Sequence, residues 1–204
     1  MHTKTVTRFD AVRDQITSAI RMFFIWDDLV SAVTLAGAAE RVLSDLQPQD
    51  GIFGVDARSI RSMVNLYIKE EHQRDAAKLY RKDYDFFRHA DRNAVQSYEL
   101  KEKSVAWLIF TALISFEFLR QEKTVETRAF AWWFMATNPQ WLKADAPDLA
   151  TITKLKEQIS ERSKREYFLA FLAAAEGRIP KYLEFVLGDD AAPVAEMVVR
   201  PSRF

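Results

Sequence analysis

An all-α fold, a single irregular bundle of about six to eight helices, is what this chain predicts. Apolar residues recur at steps of three and four along most of its length, the spacing that lines one face of a helix. No convincing stretch alternates apolar with polar residues as a half-buried strand does. Only 5 glycines and 6 prolines interrupt 204 residues, so long helices have room to form. Hydrophobic residues make up 49% of the chain, enough for one sizeable core without disulfides.

The first helix is predicted from about Phe9 to Phe24, with Phe9, Val12, Ile16, Ala19, Ile20 and Phe23 on one face. Asp27 and Asp28 then cap a second helix, Leu29 to Leu46, because a short acceptor side chain satisfies the free N–H groups of a first turn. Its core face carries Ala32, Leu35, Ala36, Ala39, Val42, Leu43 and Leu46, and Gly37 with Ala38 permits close helix approach. This is the expected central helix. Pro48, Gly51 and Gly54 mark a loop over 47–55, and Asp56 is placed as the N-cap of a third helix through Ile60, Val64, Tyr67 and Ile68. Helical spacing continues through Ala76, Ala77, Leu79 and Tyr80 to Tyr84 and Phe87, then gives out in the polar stretch 90–97.

Leu100 to Arg120 is apolar around most of its circumference and reads as a buried helix. Its apolar run, Val105 to Leu119, is interrupted by Thr111, Ser115 and Glu117 and is too short for an ordinary membrane span. Val125 to Thr137 follows. Asn138-Pro139 ends that helix, because the residue before a proline disfavours the α region. Pro147-Asp148 begins a last helical stretch, Leu149 to Glu176, as one long helix or two shorter ones ended by Gly177. We therefore expect one helical domain over residues 1–187 and a tail over 188–204, which is disordered or docks on a partner.

Lysine plus arginine equals aspartate plus glutamate at 29 each, so no global field concentrates the molecule on nucleic acid or anionic lipid. Any such binding needs a local patch. Cysteine is absent, which excludes disulfides, thiolate metal sites and a cysteine nucleophile and fits a reducing compartment. The polar N-terminus carries no secretory pattern, and a cytoplasmic location is the expectation.

Chemistry is concentrated around His89. Asp85, one helical turn earlier, is spaced to hold its imidazole, while Arg88 and Asp91 supply nearby charge. His89 is then a proton-transfer group or a phosphate contact, or else it simply caps a helix end. Arg74, Lys78, Arg81 and Arg88 recur at steps of four and seven and form a basic stripe, with Tyr80, Tyr84, Phe86 and Phe87 interleaved. On a nucleic-acid reading the cations meet phosphates and an exposed tyrosine stacks on a base. Glu70, Glu71, Asp75, Asp83 and Asp85 lie among them, however, and such a mixture also describes an ordinary solvated helix face.

Glu70, Glu71, His72 and Asp75 include suitable metal ligands, but no Glu-x-x-His pair occurs and no metal is expected; His72 reads as a surface histidine. Trp132, Trp133, Phe134, Met135 and Trp141 form the densest aromatic cluster and read as core packing rather than a cofactor site. The chain has no Gly-rich phosphate loop, Gly-x-Ser-x-Gly elbow or His-Glu-x-x-His pair, and only 3 histidines, so no cofactor is expected and catalysis is not the leading reading.

Two stretches carry a resemblance. Ser31 to Leu43, reading Ser-Ala-Val-Thr-Leu-Ala-Gly-Ala-Ala-Glu-Arg-Val-Leu, and Phe86-Phe87-Arg88-His89-Ala90-Asp91 are similar to segments of an uncharacterised bacterial all-helical family resembling HEPN-like domains. The resemblance implies a helical, dimeric protein and, in the active HEPN ribonucleases, an Arg followed by His after four to six intervening residues. Here Lys82 stands six residues before His89 in that sense, and Arg81 has seven residues in between. Lysine is not an equivalent planar phosphate clamp. The leading expectation is therefore a binding or regulatory protein, possible as a homodimer, that contacts a partner protein or RNA near His89 through Arg74, Lys78, Arg81 and Arg88. An RNA-cleaving enzyme using His89, Asp85, Arg88 and Lys82, and a structural subunit of a larger assembly, are the alternatives.

Overall fold

A computed structural model of the chain describes residues 3–46, 68–69, 71–72, 83–84, 86–87, 97–146 and 148–175. Helix α1, Arg8–Arg21, begins with a reciprocal cap: the Thr7 hydroxyl accepts from the Asp10 N–H at 3.1 Å, and the Asp10 carboxylate accepts from the Thr7 N–H at 3.1 Å. Its buried face is Val12, Ile16, Ala19 and Ile20, as the periodicity predicts, with Phe9 half-buried.

The expected continuation to Phe24 is not a regular α-helix. Met22–Trp26 widens into a π-helical turn. Within this turn Phe23 and Phe24 are both buried, in an edge-on pair 5.4 Å apart. Asp27 closes the turn in the left-handed conformation, φ 54, which aspartate tolerates better than most residues. The backbone N–H groups of Asp27 and Asp28 both donate to the Met22 carbonyl. Asp28 alone then caps the next helix, accepting from the Ser31 N–H at 2.9 Å.

Helix α2, Leu29–Leu46, has the predicted bounds and buries Ala32, Val33, Ala36, Gly37, Ala39 and Leu43. Helix α3, Glu102–Arg120, starts two residues later than expected and is buried from Ser104 to Phe110 and from Ala112 to Glu117. It ends at Gln121, φ 53, whose N–H returns to the Glu117 carbonyl at 2.8 Å. Helix α4, Val125–Thr137, again matches its predicted bounds, opened by a Thr124/Thr127 reciprocal cap and followed at Pro139–Trp141 by one 3-10 turn. The last helical stretch is two helices, α5, Leu149–Ile159, and α6, Lys164–Ala175.

Helix α2 packs against α1 and α3, while α4 packs against α1, α3, α5 and α6, and α6 also reaches the π-turn. The seam between these two groups is aromatic. Phe24 stacks on Phe168 at 4.7 Å, Phe110 stacks on Phe134 at 4.1 Å, and Trp133 meets Phe23 and Phe24 edge-on at 5.2 Å each. The cluster predicted as core is core: Phe134, Met135 and Trp141 are buried, and Trp132 and Trp133 pack against them half-buried. The molecule is an all-α helical bundle. Among the described residues the sole departure is a single antiparallel bridge between Ile68 and Leu142. Ile68 is thus not in the helix expected for it; its backbone is held by extended pairing, and its side chain is buried. No helix among the described residues is long and apolar enough to cross a membrane.

Candidate functional site

The residues to which the sequence assigns chemistry, Arg74, Lys78, Arg81, Lys82, Asp85, Arg88 and His89, lie outside the described residues, as do Tyr80 and Asp91 and the tail over 188–204. The described residues interleaved with them, Asp83, Tyr84, Phe86 and Phe87, are helical, as the spacing predicts, and the bundle holds each of them.

Asp83 corrects one expectation. Grouped by sequence with a solvated mixed-charge face, it is only 4% exposed. Its Oδ1 accepts a short hydrogen bond from the Tyr98 hydroxyl, and its Oδ2 is buried without a hydrogen-bond partner among the described residues. Burial, reinforced by the adjacent carboxylate, pushes the Tyr98 hydroxyl up to about 12, so it remains a donor across the physiological range. Phe86 stacks on the Tyr98 ring at 4.5 Å and Phe87 stands edge-on to Phe86 at 5.2 Å. Tyr84 is half-buried against α2, and a Cβ at Gly37 would lie 2.1 Å from its Cδ2, so this tyrosine packs on the helix.

Helix α2 and Tyr98, which enters α3, therefore form a saddle that grips the segment through an acid, a tyrosine and two phenylalanines. The signal for this lies in two places, Gly37 on α2 and Tyr98 beyond a polar stretch. Gly37 belongs to the small-residue run of α2, whereas Tyr98 belongs to no local motif.

The His72 side chain is 32% exposed; its ring lies 6.0 Å from that of Trp141, its Nε2 is 3.6 Å from Glu71, and its backbone N–H donates to the Lys69 carbonyl at 3.1 Å. Among the described residues no group of three metal-ligating side chains occurs.

A second concentration of polar groups has no counterpart in the sequence reading. Lys164, at the start of α6 and 18% exposed at its side chain, reaches Asp27 at 2.5 Å and Glu102 at 3.1 Å, with its ammonium 4.5 Å from the centre of the Phe23 ring. One cation thus joins the π-turn, α3 and α6. No family model, curated protein or solved structure matches the chain.

Proposed function

We propose that this chain is a helical binding or regulatory protein, HEPN-like in kind, that contacts RNA or a partner protein through the basic residues around His89. One observation carries the reading: Asp83, Tyr84, Phe86 and Phe87 are drawn onto the bundle by Tyr98 and Gly37. A segment anchored by its acid and its aromatics loses little further freedom when its cations engage a ligand, which favours tight contact. With the Asp83 carboxylate turned inward, the charge balance of the same segment shifts toward Arg81, Lys82 and Arg88.

The test is binding of a labelled single-stranded RNA by the full chain, followed through a salt titration. Each phosphate contact to a single strand contributes about 0.7 to the slope of log affinity against log salt, so R81A/R88A is expected to lower that slope by about 1.4 and the affinity about tenfold or more. An unchanged slope rejects the nucleic-acid contact and leaves co-purification of a partner, lost in the same variant, as the test of the protein contact. Cleaved RNA that disappears in His89→Ala would instead assign catalysis to this segment.

A further inference from the structure

A cleft of about 420 Å³ opens where α3 begins, α4 and α5 end and α6 begins. That size is within the range of small-molecule sites, roughly 300–1,000 Å³. It shares no residue with the segment around His89, and its properties follow from how its charges are engaged.

Glu102 is the one carboxylate among the described lining residues, and it is taken up by Lys164, which also binds Asp27. The nearby Glu166 accepts from the Ser163 N–H at 2.9 Å and from the Ser163 hydroxyl at 2.7 Å, closing the N-terminal cap of α6; these bonds hold its carboxyl below the ordinary range. Lys156 and Arg162 also line the cleft, and neither makes an ion pair among the described residues. Both acids thus have partners within the chain; Arg162 stands within the field of Glu166 without an ion pair to it, and Lys156 has no ion pair among the described residues. The first turn of α6 faces the same space and adds the partial positive charge of a helix start.

The lining also includes aromatic residues: half-buried Trp133 packs edge-on against Phe23 and Phe24, while Tyr167 is buried and its hydroxyl is spent on the Ala129 carbonyl at 2.9 Å, so it offers no free donor. An aromatic lining residue favours a flat apolar body, and two cations lining one cleft favour a compact anion, for which the planar arginine head offers paired hydrogen bonds.

We propose that this cleft binds a small organic anion, with a phosphate or carboxylate head held by Lys156 and Arg162 and an aromatic body lying on Trp133. The binding is independent of the macromolecular contact near His89, and the two readings can fail separately. The test is calorimetric titration of the full chain with phenyl phosphate, benzoate, inorganic phosphate and phenol.

Phenyl phosphate or benzoate is expected to bind at least tenfold more tightly than inorganic phosphate or phenol, and the better of the two identifies the head group. K156A/R162A is expected to lose at least tenfold in affinity. Ser160→Glu, which places a carboxylate at an exposed lining position, is expected to do the same. Both variants should keep the thermal midpoint of the parent chain, because none of the three side chains is in the core. The proposal is overturned if none of the four probes binds at millimolar concentration, if inorganic phosphate binds as tightly as phenyl phosphate, or if affinity is unchanged in both variants.

Discussion

A single hydrogen bond decides the cost of Asp83. A carboxylate that leaves water must find donors, and here one oxygen has the Tyr98 hydroxyl while the other has none among the described residues. Removing the hydroxyl leaves the whole group unpaired, so Tyr98→Phe is expected to destabilise the fold by about 3 kcal/mol. Removing both partners removes the problem together with the bond, and Asp83→Leu in the Tyr98→Phe background is expected to recover most of that loss. Urea denaturation of the two single variants and the double variant measures the coupling; losses that simply add would show that the two groups do not depend on each other. The raised Tyr98 value sets the alkaline side. Its contribution to stability is complete below the ordinary tyrosine value and is lost as pH rises through about 12. None of this was legible in the sequence. Asp83 stands among lysines and arginines like any solvated acid, and its partner is 15 residues away, across a polar stretch.

At the scale of elements, legibility followed how local the determining chemistry is. The bounds of α2 and α4 were readable because Asp28 and Asn138-Pro139 begin and end them through backbone rules that need no neighbour. The π-turn was not. It sets Phe23 and Phe24 against aromatic partners on α4 and α6, and nothing within five residues of sequence announces those partners. Gly37 falls between these cases. Its small size was read as allowing close approach, and what approaches is Tyr84. Gly37→Ala should add about 1 kcal/mol of helix propensity, yet it is expected to cost a net 1–3 kcal/mol, roughly, because the methyl displaces that ring. In a Tyr84→Ala background the same substitution should become neutral or stabilising. A loss of equal size in both backgrounds would place the clash elsewhere. The α4 cap gives a simpler case: Thr124→Ala is expected to cost about 1 kcal/mol, seen as a lower urea midpoint with an unchanged slope.

Across the whole molecule, the balanced charge conceals carboxylates that the fold perturbs in opposite directions. Asp10, Asp28 and Glu166 sit at helix starts, and hydrogen bonds from Thr7, Ser31 and Ser163 hold them below the ordinary range. Their contribution is present above their unfolded values and is lost as pH falls through the lower folded ones, which gives the protein its acid limb. Glu117 runs the other way. It is buried on α3 beside the start of α4, and burial raises its carboxyl above the ordinary range against the smaller pull of Thr127, Lys123 and Arg128. The folded state therefore binds that proton more tightly than the unfolded chain does. The resulting stabilisation is complete below the ordinary glutamate value and disappears as pH rises through the folded one. Once ionised, that carboxyl is a buried charge that the bundle would hold more easily as an amide. Glu117→Gln is accordingly expected to raise the thermal midpoint by about 2–4 °C at a pH where the folded parent has lost this proton, the shift that about 1 kcal/mol produces in a chain of this size, with little or no gain at pH 4. Midpoints measured from pH 4 to pH 8 should fall less steeply with rising pH in the variant than in the parent. Parallel curves would mean that the surrounding cations balance the Glu117 carboxylate fully, and that its burial contributes nothing to the neutral side of the profile.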